Sequence, residues 1–239
     1  MLLLKYEIIL RLWVKYYLPY NSLTLISQET ADDSLFSKAI GENIRKYRLE
    51  SRRAHRTRDK DRAQFLFDSL VNNVVNGTLL DNFNVRKFSG RKTTLHKFKK
   101  PIYLISYASW CVPNAGEIPA FNDISEKYFD EIDFVVLFWG SKRKIRKFKR
   151  KYNKRVHILY VDEKENKNDF AIRILKHSVG FPTSFFISLD KNILDVRRNH
   201  LDQYNKEYTS SYNSNYQSYM SGVSLLKKDM GNEVERNSN

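Results

Sequence analysis

Cys111 is the residue with the most distinctive chemistry in this chain of 239 residues, which contains no other cysteine. It lies in the stretch SWCVPNAGEIP, residues 109–119, between an apolar run and a helical pattern. At a strand-to-helix junction, the exposed amides and the dipole of the helix favour a thiolate, which is the nucleophile of thiol–disulfide exchange. The stretch therefore predicts a reactive sulfur at the start of a helix.

Asn114 stands where a two-cysteine site of the form Cys-x-x-Cys would carry its second sulfur. That second sulfur resolves the mixed disulfide formed with a substrate, and a carboxamide cannot do so. The Asn114 side chain is instead expected to hydrogen-bond toward the Cys111 sulfur or to cap the helix. Three roles remain open: exchange with an external thiol as resolver, capture of partners as long-lived mixed disulfides, or a vestigial site on a binding module.

The elements around Cys111 alternate between strand and helix patterns. Continuous apolar runs predict three buried strands, at 102–109, 133–139 and 156–162. An amphipathic helix is predicted after each of them, and hairpins at 83–95 and 183–199 flank the set. This order implies an α/β fold with a mixed central sheet and helices on both faces.

The segments on either side are predicted to be helical extensions, so the chain divides into residues 1–77, 78–200 and 201–239. In the first segment, a charged helical pattern runs from 34 to 75. In the last, tyrosines recur every four residues and predict a docked helix, with a frayed polar tail from Asp229. The docking stripe consists of Tyr204, Tyr208, Tyr212, Tyr216, Tyr219, Val223 and Leu226.

The first twenty residues are largely apolar, but charged side chains interrupt them. Glu7, Arg11 and Lys15 fall four apart on one side of a helix, with an apolar face opposite. A spanning helix needs about 20 nearly uncharged residues, and a signal peptide needs an uninterrupted apolar core. The pattern predicts a helix that packs on its own protein or lies on a membrane surface. It favours a cytoplasmic location, with a membrane-associated or exported protein as the alternative.

Two groups of motifs coincide with this order of elements. Trp110, Cys111, Pro113, Glu117 and Pro119 have the spacing of Trp-Cys-x-x-Cys followed by Glu-x-Pro, with Asn114 replacing the second cysteine. The stretch GFPTSFFIS has the form of a cis-proline motif, with Pro182 as the cis residue and Thr183 after it. From Leu79 to about Asn199, the sequence therefore resembles the thioredoxin superfamily, and within it the TlpA/ResA-like branch.

The resemblance implies a thioredoxin-like fold and a thiol–disulfide activity whose catalytic residues are Cys111 and Glu117. Glu117 would accept a proton; a solvated helix carboxylate is the alternative. The implied neighbours of the site are Trp110, Pro113, Asn114, Pro182 and Thr183. The implied partners are protein thiols or disulfides, with an external low-molecular-weight thiol, and no cofactor. With one sulfur the site is expected to complete no dithiol cycle alone, and a non-catalytic interaction module is the alternative.

Charge is the other prominent feature, since the formal net charge is +15. A helix is predicted over Lys142–Arg155 without any acidic residue, with Ile145, Phe148 and Tyr152 as its buried stripe. Such a helix is suited to a weak anionic partner. No RNA-binding motif accompanies it, so a solvated face is favoured and nucleic acid is disfavoured.

The five histidines do not form a metal-ligand pattern. They are His55, His96, His157, His177 and His200. Because their spacings match no known ligand set, no metal site is predicted.

Overall fold

A computed structural model of the chain describes residues 34–161, 170–178, 180–198 and 206–237. Its centre is a sheet in the order β2-β1-β5-β4-β3-β6-β7. The strands are β1 (Val85–Lys87), β2 (Lys92–Thr93), β3 (Ile102–Ala108), β4 (Asp133–Trp139), β5 (Val156–Val161), β6 (Thr183–Ile187) and β7 (Ile193–Arg198). Strands β3, β4 and β5 are parallel, and the other pairings are antiparallel. The predicted mixed sheet is confirmed.

The three parallel strands are apolar on both sides because helices cover both faces of the sheet. Along β3, every residue is buried. Ile102 and Leu104 point into one apolar cluster, and Tyr103 and Ile105 point into the other. This alternation follows the two-residue period of a strand.

Among the described residues, three helices pack on each face of the sheet. One face carries α1 (Phe36–Arg56), α2 (Lys60–Leu70) and α5 (Phe170–Ser178). The other carries α3 (Glu117–Tyr128), α4 (Lys142–Lys149) and α6 (Tyr208–Asn237). A π-helical turn (Val71–Val75) and a 3₁₀ turn (Leu95–Lys97) complete the described elements. In this part of the chain, no helix combines the length and the apolar character needed to cross a membrane.

The α1–α2 pair is joined to the sheet by apolar contacts and to the segment before β1 by hydrogen bonds. The Phe36 ring packs edge-on against Phe185 of β6, with ring centroids 6.1 Å apart. The Ser37 backbone N–H and hydroxyl donate to the two oxygens of the Asp81 carboxylate, at 2.8 and 2.6 Å. These contacts place the helical pair on the same apolar core as the central strands. The predicted helix near Glu7, Arg11 and Lys15 lies outside the described residues.

Helix α6 differs from its prediction in two ways. The frayed tail expected from Asp229 is wrong, because the helix continues to Asn237. Tyr219, Val223 and Leu226 are buried as expected, but at the start of the helix the buried residues are Ser211 and Asn215. Tyr208 is exposed, and Tyr212 and Tyr216 are half-buried. In the turns that carry Tyr212 and Tyr216, the residue just before each tyrosine faces the core, so these two tyrosines lie beside the buried stripe. Tyr204 lies outside the described residues.

Helix α4 and the first hairpin are shorter than predicted. Helix α4 ends at Lys149, so Tyr152 is buried from the following loop and not from the helix. In that loop the Asn153 side chain accepts hydrogen bonds from the backbone of Arg155 and Val156, at 2.9 and 3.2 Å. An asparagine that bonds nearby amides in this way competes with helix continuation. Leu95, expected in the second hairpin strand, begins the 3₁₀ turn instead.

Candidate functional site

The residues between β3 and α3, 109–116, form what we call the Cys111 turn. The turn begins beside the neighbouring parallel strand, because the Ser109 N–H donates to the Trp139 carbonyl at 3.0 Å. It closes on itself through a hydrogen bond from Cys111 N–H to the Ala108 carbonyl, also at 3.0 Å. The Cys111 turn therefore lies at the carboxyl edge of the central parallel strands, where α/β proteins commonly place their ligands.

Cys111 is not at the start of a helix, contrary to the prediction. Helix α3 begins at Glu117, six residues later, and its N-cap is Gly116, which makes no side-chain cap. Five residues of the turn therefore separate Cys111 along the chain from the helix terminus on which the predicted stabilisation of a thiolate depended. Cys111 is only 6% exposed, and this burial raises the pKa of its thiol. A hydrogen bond to the Ala108 backbone lowers the pKa, but by less. Burial therefore favours the protonated thiol over the expected thiolate.

The raised pKa of the Cys111 thiol predicts how its alkylation depends on pH. Only the thiolate reacts, so a raised pKa delays the reaction to pH values above the ordinary cysteine range. At neutral pH we expect iodoacetamide to modify the folded protein more slowly than the urea-unfolded chain, because burial both raises the pKa of the thiol and restricts access to the sulfur. The measurement is the alkylation rate against pH for both states. A folded-state rate that equals the unfolded one at neutral pH would contradict the buried thiol.

The residues on either side of Cys111 are open to solvent. Trp110 is 75% exposed and Val112 is 68% exposed, although both have large apolar side chains. Pro113 is half-buried. Exposed apolar side chains that lie close together commonly mark a contact surface for another molecule. The Cys111 turn thus presents an apolar tip with the sulfur covered beneath it.

Asn114 is tied to helix α6 and makes neither of the two contacts predicted for it. Its carboxamide oxygen accepts hydrogen bonds from the Ser211 hydroxyl at 2.7 Å and from the Asn215 side-chain amide at 2.8 Å. All three residues are at least nine-tenths buried. Where a second sulfur would stand, this protein has a polar junction that fastens its C-terminal helix.

Ser211 and Asn215 are site residues that the sequence reasoning missed. A usable signal was present, because both residues precede Tyr219 at a spacing of four and so continue the buried stripe of α6 with polar side chains. Polar residues in a stripe that otherwise faces the core must have buried hydrogen-bond partners. The sequence pattern does not show which segment supplies those partners.

Gly116 brings the backbone of α6 into direct contact with the Cys111 turn. Its N–H donates to the Ser211 hydroxyl at 3.1 Å. A Cβ atom at position 116 would lie 2.1 Å from the Tyr212 nitrogen and 2.5 Å from the Ser211 carbonyl carbon. Only glycine leaves room for this approach.

Glu117 is 2% exposed, so the alternative of a solvated helix carboxylate is wrong. One carboxylate oxygen accepts the Asn114 N–H at 3.1 Å. Burial raises the pKa of Tyr152 and of Tyr219, and the negative charge of Glu117 raises both further. The carboxylate therefore lies beneath the Cys111 turn, among the aromatic side chains between α3 and α6.

Pro182 and Thr183 lie at the same edge of the sheet as the Cys111 turn. The Phe181–Pro182 peptide bond is cis. Thr183 is fully buried and pairs with Ser106 near the end of β3. The Phe181 ring packs against Trp139 at the end of β4, with centroids 6.1 Å apart. The structure thus brings together at one edge the two motifs that the sequence places about 70 residues apart.

The histidines whose side chains are described take structural contacts. His96 lies 2.7 Å from the Leu80 carbonyl oxygen, and His157 lies 3.6 Å from the Asp133 carboxylate. Among the described residues, no three His, Cys, Asp or Glu side chains are grouped closely enough to hold a metal ion. The side chains of His177 and His200 lie outside the described residues.

Comparisons with known proteins agree with this architecture. The model of the AhpC/TSA family matches residues 77–196, which is half of the chain. The thioredoxin-like protein YneN of Bacillus subtilis is 26% identical over 128 residues, covering 52% of this chain and 71% of the relative.

Solved structures that are similar to part of this chain come from several bacteria. A putative thiol:disulfide interchange protein DsbE from Chlorobium tepidum has 19% identity and a TM-score of 0.45, over 62% of this chain and 97% of that one. A putative electron transfer protein from Aquifex aeolicus has 15% identity and a TM-score of 0.45, over 63% and 97%. Because the family model spans half of the chain, including the Cys111 turn and the Pro182 segment, this protein belongs to the AhpC/TSA family of the thioredoxin superfamily.

Proposed function

We propose that this protein is a TlpA-like thioredoxin-fold protein that engages partner proteins at the Cys111 turn and runs no dithiol cycle of its own. The observation that carries the proposal is the junction at Asn114, whose buried carboxamide is bonded to Ser211 and Asn215. The position of a resolving sulfur is occupied by a group that holds the fold together.

The chemistry of exchange explains why the cycle stops. A Cys111 thiolate that attacks a partner disulfide forms a mixed disulfide, breaks the partner's S–S bond and releases one partner thiolate. A second thiolate must then attack the mixed disulfide to free Cys111. This chain has no other thiol, so the second thiolate has to come from another molecule.

Partner binding is supported by the exposed tip of the Cys111 turn and by the edge on which it lies. Trp110 and Val112 supply apolar contact area. In this proposal Pro113 shapes the turn, and Pro182 with Thr183 presents backbone to an extended partner segment. Residues 78–200 form the domain that carries the site, with 1–77 and 201–239 as flanking segments. Helix α6 of the last segment completes the site.

A second candidate function is monothiol exchange with an external low-molecular-weight thiol. The observation that favours it is the position of Cys111 between two solvent-exposed residues, Trp110 and Val112. Glu117, fixed by its bond to the Asn114 N–H, is then the proposed proton acceptor. Incubation with oxidised glutathione, followed by mass measurement of the intact protein, tests this candidate.

The experiment for the main proposal is an insulin-reduction assay. We expect the wild-type protein to reduce insulin disulfides no faster than the Cys111→Ser variant, because no resolving thiol is present. A two-cysteine thioredoxin serves as the positive control. The Asn114→Cys variant, once shown to be folded, tests whether the second sulfur is the missing part. Wild-type turnover that approaches the positive control and is lost in Cys111→Ser would overturn the proposal.

A further inference from the structure

Helix α4 presents a dense set of exposed cations. Eight of the ten residues from 142 to 151 are lysine or arginine, and none is acidic. The two apolar residues of the helix, Ile145 and Phe148, are buried in the core. The cations must therefore point away from the protein. We call Arg143, Lys144, Arg146 and Lys147, which are all exposed, the basic face.

The basic face is not neutralised by the rest of the described chain. Among the described residues, none of its four cations forms an ion pair with a carboxylate. The neighbouring segment adds no negative charge, because residues 82–116 contain neither aspartate nor glutamate. Lys142 and Lys149, at the two ends of α4, both lie over the Phe88 ring of the first hairpin, at 5.3 and 5.5 Å. The hairpin is thereby held beside the helix, and it adds the exposed cations Lys87, Arg91 and Lys92.

The N-terminal end of α4 lies close to the Cys111 turn. Helix α4 starts two residues after Gly140, and a Cβ atom at Gly140 would lie 2.8 Å from the Ser109 side chain. Ser109 directly precedes the exposed Trp110. The start of α4 and the start of the Cys111 turn therefore lie at the same edge of the sheet.

We propose that the basic face and the Trp110–Val112 tip together dock an acidic polypeptide segment of a partner protein. The inference rests on the proposed function, since it assigns the chemical class of the partner that reaches the Cys111 turn. Protein interfaces place apolar and aromatic residues at the centre and charged residues around them, and tryptophan and arginine contribute most to binding. The basic face adds long-range attraction for carboxylates, which raises the association rate and selects against cationic partners.

Other polyanions fit this surface less well. Nucleic acid would engage the cations through phosphates, but a groove for single strands combines such cations with several aromatic side chains on which successive bases stack, and α4 exposes no aromatic side chain. A membrane-surface helix needs an apolar stripe that enters the interface, and the only apolar side chains of α4 are buried in the protein. An acidic polypeptide is the partner that uses both the cations and the exposed tip.

The test is a binding measurement on the full chain with a fluorescein-labelled, glutamate-rich peptide containing a central Leu–Phe pair, at about 0.15 M ionic strength. The quadruple variant R143Q/K144Q/R146Q/K147Q should weaken binding at least about tenfold. Trp110→Ala should weaken it by a similar factor. The control variant K38Q/R45Q/K46Q/R56Q removes the same charge from exposed positions on α1 and should bind like the wild type.

Equal losses in the two quadruple variants would show an effect of net charge alone and would overturn the proposal. So would failure of the wild-type protein to bind this peptide. Tighter binding of a single-stranded oligonucleotide or of phosphatidylglycerol vesicles than of the peptide would assign the surface to another class of partner. None of these results depends on insulin reduction. The proposal of an acidic partner and the proposal that the protein runs no dithiol cycle can therefore fail separately.

Discussion

Replacing Gly116 by alanine is expected to destabilise the protein by about 3 kcal/mol or more, at the upper end of the range for overpacking a buried site. The new Cβ atom would lie 2.1 Å from the Tyr212 nitrogen and 2.4 Å from its Cα atom. These are backbone atoms of a helix, which cannot rotate away as a side chain would. The start of α6 must therefore move off the Cys111 turn.

The loss extends beyond the clash because α6 carries part of the core. Tyr219, Val223 and Leu226 are buried against the sheet further along the same helix. A similar close approach occurs at Gly222, where a Cβ atom would lie 2.1 Å from the Phe186 ring and 2.7 Å from the Tyr103 ring. We expect Gly222→Ala to be costly as well, because both rings are fully buried.

Gly231 provides the matched control in the same helix. A Cβ atom at this position meets nothing within 4 Å, and alanine is the better helix former by about 1 kcal/mol. In thermal and urea unfolding, Gly116→Ala and Gly222→Ala should therefore be less stable than the wild-type protein, and Gly231→Ala should be more stable. If Gly116→Ala unfolded like the wild-type protein, the contact between α6 and the Cys111 turn would be refuted.

The Asn114→Ala variant should lose about 2–4 kcal/mol of unfolding free energy. The substitution removes the acceptor shared by the Ser211 hydroxyl and the Asn215 amide, which are buried and have little access to water. A buried donor left without its partner costs about 1–3 kcal/mol. Asn215 keeps its bond to the Ser211 carbonyl at 2.7 Å, so the loss is smaller than for two fully orphaned groups.

A double-mutant cycle separates this junction from general loss of packing. Asn114→Ala, Ser211→Ala and the double variant should show a coupling energy of about 0.5–3 kcal/mol, because the two side chains are in direct contact. Asn84→Ala, at an exposed position, is the control and should change the stability by less than about 0.5 kcal/mol. Strictly additive losses would mean that the Asn114–Ser211 bond contributes nothing. Asn114→Cys removes the same acceptor, so its folding must be measured before its redox activity.

Much of the architecture follows from local patterns in the sequence. The apolar runs of β3, β4 and β5 predict strands buried on both faces, because only a sheet covered on both sides accommodates such residues. The motifs around Cys111 and Pro182 identify the superfamily, and the single cysteine excludes an internal disulfide. Each of these inferences depends on residues close together in the chain or on composition.

The properties of the site itself were decided by contacts between distant segments. Asn114 and Ser211 are 97 residues apart, and Asn114 and Asn215 are 101 apart, so no local period indicates that they meet. The position of Cys111 relative to its helix was predicted wrongly for the same reason. A pKa depends on the desolvation of the sulfur and on its distance from the helix terminus. Both quantities depend on the folded chain: α3 begins only at Glu117, and the surrounding segments bury the Cys111 thiol.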